Sequence, residues 1–162
     1  SGVGLRFHPT TGNIDPMRNG ARIDNTVSIG TTTHRFKDLH LSGSASISSS
    51  ASIGNASIDN YAVNTSSTSV AQVDTFSAST IRSARFTVQI TNTTDSTYQV
   101  TEILLIHDGT TPAITEYGTI FTGSAKEASF DADIVSGNVR LLATPASSDS
   151  MQFKTVRHSI LV

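Results

Sequence analysis

The sequence predicts an all-β chain: an intertwined, trimeric, fibre-like N-terminal stem followed by an antiparallel β-sandwich of jelly-roll type. Three observations predict it. Ser and Thr make up about three residues in ten, and charged residues only 15%, against about 25% in an average soluble protein. Val, Ile and Thr, which suit strands, are retained, whereas a disordered chain is poor in apolar residues and rich in charge. Alternating apolar runs then follow one another at about ten-residue spacing with turn residues between them and no helical period.

By texture the chain divides into a polar neck over residues 1–42, a shaft over 43–71 and a head domain over 72–162. In the neck, Val27 and Ile29 alternate within residues 25–30, a short strand stopped by Gly30. Phe36, Leu39 and Leu41 follow, too sparse for a core. In the shaft, Ala-Ser-Ile occurs at Ala45–Ile47, Ala51–Ile53 and Ala56–Ile58, with Tyr61-Ala62-Val63 as a degenerate fourth copy. The apolar residues Ile47, Ile53, Ile58 and Val63 are six, five and five apart. Side chains in a strand alternate faces, so an odd spacing sends successive aliphatics to opposite sides. Short strands broken at Ser48–Ser50, Gly54–Asn55 and Asp59–Asn60 therefore fit better than one long strand. One aliphatic per five or six residues cannot offset chain ordering of about 1–2 kcal/mol per residue. Three chains wound about one axis bring those four residues together as a shared stem core. A flexible Ser-rich linker is the plainer alternative.

The head reads as about seven strands: 73–76, 81–90, 98–106, 114–121, 128–134, 139–143 and 151–162. Ile103-Leu104-Leu105-Ile106 is the most apolar run and is expected to be buried on both faces. Asp108-Gly109 and Ser136-Gly137-Asn138 supply hairpin turns. The sheet edges need cover, which subunit contact would provide.

The bulk numbers also exclude. A net charge of −2 speaks against nucleic acid, whose binders are basic. There is no polybasic cluster for anionic lipid and no run of roughly 20 apolar residues for membrane insertion. Ser1-Gly2-Val3-Gly4 lacks the basic and apolar regions of a signal peptide, and the missing Met points to a processed chain. With no Cys there is neither a disulfide framework nor a thiolate metal site. Oligomerisation is then the available staple.

No constellation reads as catalytic, and no pattern asks for a cofactor. His107 and Asp108 sit together amid abundant Ser, but no nucleophile elbow or glycine-rich oxyanion loop accompanies them. Asp131 and Asp133 share a face of one strand and read as its solvated side rather than a Ca²⁺ or glycosidase pair. Glu102 and Glu116 read as surface or subunit-contact residues. His34 and His40 are weak metal candidates, since a three-fold axis turns one His into three imidazoles. Arg6, Arg18, Arg22, Arg35 and Lys37, interspersed with Asp15, Asp24 and Asp38, suit ion pairing between subunits.

Residues 28–43, Ser-Ile-Gly-Thr-Thr-Thr-His-Arg-Phe-Lys-Asp-Leu-His-Leu-Ser-Gly, resemble a phrase of tailed-bacteriophage fibre and baseplate proteins. Gly4-Leu5-Arg6-Phe7, Ile14-Asp15-Pro16, Asn19-Gly20 and Asp24-Asn25 look similar to the same group. The head, through residues 98–109, 114–119, 130–134 and 138–142, is similar to a domain on structural proteins of cyanophage-like, contractile-tailed phages. The resemblance implies a homotrimeric tail fibre or receptor-binding spike in the virion tail, attaching to the bacterial surface. Its partners would be a surface polysaccharide or outer-membrane receptor and other tail proteins. It carries over no catalytic residue, so a non-enzymatic chain is expected. Loops on a rigid scaffold favour binding, which makes Asn92, Asp95, Asp108, Thr110 and Ser148 the candidate receptor contacts. The rival readings are a purely architectural virion module and a fibre-borne polysaccharide depolymerase. Against the last stand the absence of Trp and an aromatic content of 6%.

Overall fold

The computed structural model of the chain describes residues 3–7, 14–22 and 28–162. Two compact units emerge, Ser1–Ala45 and Ser46–Val162. In the first, β1 (Val3–Phe7), β2 (Ile14–Arg18) and β3 (Ala21–Arg22) form an antiparallel sheet in that order. Asn19 and Gly20, both at positive φ, make the two-residue turn between β2 and β3, the geometry of a type I′ hairpin. The neck composition did not announce this sheet. Of the short strand expected over residues 25–30, residues 25–27 lie outside the described residues, and 28–30 carry no strand. Residues 28–50 contain neither strand nor helix. Ile29, Phe36, Leu39, Leu41 and Ile47 are all exposed there.

The second unit holds β4 (Ala51–Ile53), β5 (Ala56–Thr65), β6 (Ala71–Ser77), β7 (Ile81–Asn92), β8 (Thr97–His107), β9 (Pro112–Phe121), β10 (Ala128–Val135), β11 (Asn138–Pro145) and β12 (Met151–Leu161). Six strands form one sheet in the order β4-β5-β12-β7-β8-β9, and three form another in the order β10-β11-β6. Every pairing is antiparallel. The two sheets share one core, with Phe86, Val88, Ile90, Ile103 and Phe153 from the larger and Val73, Phe76, Val139 and Leu141 from the smaller. Such a two-layer arrangement lets each sheet bury one apolar face. All seven strands read from the head sequence are present. Ser136 and Gly137, again at positive φ, join β10 to β11 through the Val135↔Asn138 pair.

Four expectations need correction. Nine strands divided six and three replace the eight of a jelly roll. The boundary between shaft and head at 71/72 dissolves, because β5 pairs with β12 over ten residues. The turn expected at Asp59–Asn60 is absent, and β5 runs straight through it. Its odd spacing then acts as strand geometry dictates: Ile58 points outward, 40% exposed, while Val63 packs against the core. Finally, the run Ile103–Ile106 is buried on one face only. Ile103 and Leu105 lie inside, but Leu104 and Ile106 are 46% and 56% exposed, because among the described residues of the second unit no layer covers the outer face of the six-stranded sheet.

Candidate functional site

The candidate contact residues separate to opposite ends of β8. At one end the loops after β7, β9 and β11 converge. Asn92, fully buried, is their hinge pin. Its Oδ1 accepts from the N–H groups of Thr94 and Asp95 at 3.0 and 3.1 Å. Its Nδ2 donates to Glu127 Oε2 at 3.2 Å and to Asp149 Oδ2 at 3.0 Å. Glu127 also accepts from the Thr97 hydroxyl at 2.6 Å, and its N–H donates to Gln99 Oε1 at 2.6 Å. The Ser147 hydroxyl, and after it the Asn92 amide, hold the Asp149 carboxyl below the ordinary carboxylate range. Asn92 thus positions the loops from beneath and is not itself available to a ligand. Asp95 and Ser148 remain exposed on the loops it holds.

Asp108 and Thr110 occupy the other end. Asp108 Oδ1 accepts from the N–H groups of Thr110 and Thr111, each at 2.7 Å, and from the Thr110 hydroxyl at 2.8 Å. These bonds, Thr111 first, lower the exposed carboxyl from 3.8 to about 2. A carboxyl depressed on folding stabilises above its unfolded pKa, and that contribution is lost as pH falls through the folded one. The turn is therefore expected to loosen between pH 3.8 and about 2. An NMR titration should place the Asp108 midpoint near pH 2, with the Thr110 and Thr111 amides shifting alongside. A midpoint near 3.8 would mean that the carboxylate does not hold the turn.

His107 points the other way. It is buried, with Nε2 2.7 Å from the Ile81 carbonyl and Nδ1 accepting from the Gly109 N–H at 3.0 Å. This assigns the proton to Nε2 and separates the imidazole from Asp108. The other sequence pairs divide as well. Glu102 and Glu116 lie on opposite faces of the large sheet, Glu116 standing beside inward-facing Ile103 and Glu102 beside Tyr117. Burial acts to raise the Glu116 carboxyl, but hydrogen bonds from Thr119, Lys126 and Thr101 together hold it below its ordinary range. Asp131 is exposed, and Asp133 pairs through both oxygens with Arg140 on β11.

His34 closes a turn in the first unit. The Thr31 N–H donates to its carbonyl at 2.8 Å, and its own N–H donates to the Thr31 hydroxyl at 2.9 Å. Gly30 enters this turn at φ 85°, where a Cβ would meet the His34 carbonyl oxygen at 3.0 Å. The Gly-Thr-Thr-Thr-His order is thus a local folding requirement. His40 lies exposed six residues on. Among the described residues no group of three His, Cys, Asp or Glu side chains gathers to hold a metal.

One buried ionic cluster gave no clear signal in the sequence. Arg157 on β12 pairs with Asp74 on β6 and, at 3.2 Å, with Asp59 on β5. It also donates to Ser159 Oγ at 3.0 Å and the Thr75 carbonyl at 3.1 Å, and its guanidinium lies 5.1 Å from the Phe76 ring centre. Inward placement of Arg157 could be read from its parity with Phe153, Thr155 and Ser159. Asp74 faces inward by alternation with Phe76, and a bulge beside it, where Leu141 pairs with Asp74 and Leu142 with Gln72, turns the extra residue Val73 inward as well. Bulges re-aim side chains in this way.

No protein-family model matches the chain, and no curated protein matches it. Three solved structures are similar to parts of the chain. The tailspike of Acinetobacter baumannii phage AM24 is 10% identical at a TM-score of 0.43, covering 66% of this chain and 27% of that one. The tailspike of Acinetobacter phage vB_ApiP_P1 is 16% identical at 0.42, covering 88% and 26%. The tailspike gp49 of Acinetobacter baumannii bacteriophage Fri1, a capsular polysaccharide depolymerase, is 11% identical at 0.36, covering 70% and 20%. The chain thus spans about a quarter of the length of these proteins, and no residue role passes from them to it. The expectation of a non-enzymatic chain is corrected by the last of these likenesses, since the Fri1 tailspike is a capsular polysaccharide depolymerase.

Proposed function

We propose that the chain is a tail-fibre or tailspike module of a bacteriophage that, as a homotrimer, attaches the virion to the bacterial surface. One observation carries the reading. Residues 28–50 set Ile29, Phe36, Leu39, Leu41 and Ile47 in solvent on a backbone with no strand or helix. Such a stretch gains order only when other chains cover those side chains. The fibre-like phrase at residues 28–43 falls on this same stretch, and winding three copies together would supply the cover. Ile47 and the outward Ile53 and Ile58 keep a place between subunits in this reading, while Val63 belongs to the core of its own chain.

Attachment would use the loops that Asn92 holds, with Asp95 and Ser148 at one end, and the Asp108–Thr110 turn at the other. Three copies multiply many weak polar contacts. The ligand class is a surface polysaccharide or an outer-membrane receptor, and other tail proteins would meet the rest of the module. Fluorescently labelled full chain, incubated with a panel of encapsulated bacterial strains, should stain some strains and not others. Purified polysaccharide of a stained strain should compete. Binding to tail particles with no strain stained would contradict attachment and favour a purely architectural part. Release of oligosaccharides in the same incubations would identify a depolymerase.

A further inference from the structure

The outer face of the six-stranded sheet carries an apolar band at one end, while at the other Lys154 and Gln89 stand in one row with Val100 and Ile120. Across its apolar edge Ile53, Ala56, Ile160, Ser83, Ile106 and Ala113 stand side by side, one from each strand. Large and small alternate along the whole row. A second row places Ile58, His158, Arg85 and Leu104 beneath it. Together they floor a trough of about 880 Å³ that reaches from β4 to β9. Ile160 is 60% exposed in it. Monomeric proteins rarely leave a patch beyond a few hundred Å² open in this way.

We propose that this face is covered by the same face of further copies of this chain, the sheets turned towards a common axis. The inference rests on the trimeric reading and assigns its head interface. Three features select a copy as the occupant. A row that alternates large and small at strand spacing is its own complement when shifted by one strand, so ridges such as Ile160 and Ile106 of one copy enter the gaps at Ala56 and Ser83 of another. The charge matches as well. Arg85 and Glu102 lie 4.0 Å apart, half and one-third exposed, and each copy presents both signs to its neighbour. The size is sufficient. Six strands about 4.8 Å apart and ten residues of β12 give a face of about 24 by 33 Å, near the roughly 800 Å² per partner of a standard interface.

Two measurements test this on the full chain. Light scattering should give a trimer for the native sequence, and for the Leu104→Glu/Ile106→Glu pair a trimer that dissociates at about tenfold higher concentration, with unchanged far-ultraviolet circular dichroism. Both side chains are exposed in the single chain, so its own fold has no need of them. Because the chain has no Cys, single cysteines give a second readout that does not depend on the double variant folding. Ile106→Cys should react with a maleimide about tenfold slower than Val135→Cys on the other sheet, as where an interface excludes water. A monomeric native chain would sink the trimeric reading and this proposal with it. A native trimer whose double variant resists dilution as well as the native chain does, or whose Ile106→Cys and Val135→Cys variants react alike, would sink this proposal alone.

Discussion

Phe153→Ala is expected to remove about 3–5 kcal/mol of stability from the second unit, as truncations of buried Phe generally do. Phe153 is wholly buried on β12, between β5 and β7. Its ring reaches the core shared by the two sheets, and neighbours fixed in hydrogen-bonded strands cannot collapse into the gap. For a unit of this size the loss corresponds to a fall in Tm of about 10–20 °C. Thermal unfolding followed by circular dichroism reads it directly. A fall of only a degree or two would mean that the two sheets do not share a core.

Asp74→Ala is expected to destabilise by about 3 kcal/mol, the lower end of the range for breaking a buried pair. The lower end applies because Arg157 retains Asp59 at 3.2 Å and the Ser159 hydroxyl. Replacing both members, Asp74→Ala with Arg157→Met, should recover most of the loss, since the penalty lies in the stranded charge. Urea unfolding of the two variants checks the order, and a double variant weaker than the single one would contradict it. Burial holds the Asp74 carboxyl above its ordinary value of 3.8, with Arg157 pulling the other way. A carboxyl raised on folding adds stability that is complete below its unfolded pKa and lost as pH rises through the folded one. Asp133, lowered chiefly by its bond from Arg140, runs in the opposite direction and loses its contribution on acidification. Asp74→Asn should therefore remove only the part of the pH dependence that falls towards neutrality.

Much of the second unit was legible in the chain because a half-buried strand writes its period into the sequence. Phe86, Val88 and Ile90 mark the inner face of β7, and Ser136-Gly137 marks the tightest hairpin. The run Ile103–Ile106 misled for a physical reason. Sequence records that Leu104 and Ile106 are apolar, but not whether the cover comes from the same chain or another. The Ala-Ser-Ile tract showed the short strand β4 and the turn at Gly54–Asn55, but it hid the continuation of β5 past Asp59–Asn60, because the apolar residues of β5 serve both faces, Ile58 outside and Val63 inside. Asp74 shares its parity with Phe76, but apolar Val73 beside it points to the opposite assignment, and the bulge that lets both face inward arises only when β6 and β11 pair. Among the candidate contacts, Asn92 looked like any turn residue, and its partners Glu127 and Asp149 lie on loops that come together only in three dimensions.

The proposed assembly would cover both the exposed stretch 28–50 and the apolar sheet face, which makes it the central claim. Light scattering coupled to size-exclusion chromatography of the full chain measures it most directly. The expected result is a mass near three times the 17.1 kDa of one chain, unchanged on dilution. A mass of 17.1 kDa across the same concentrations would contradict it.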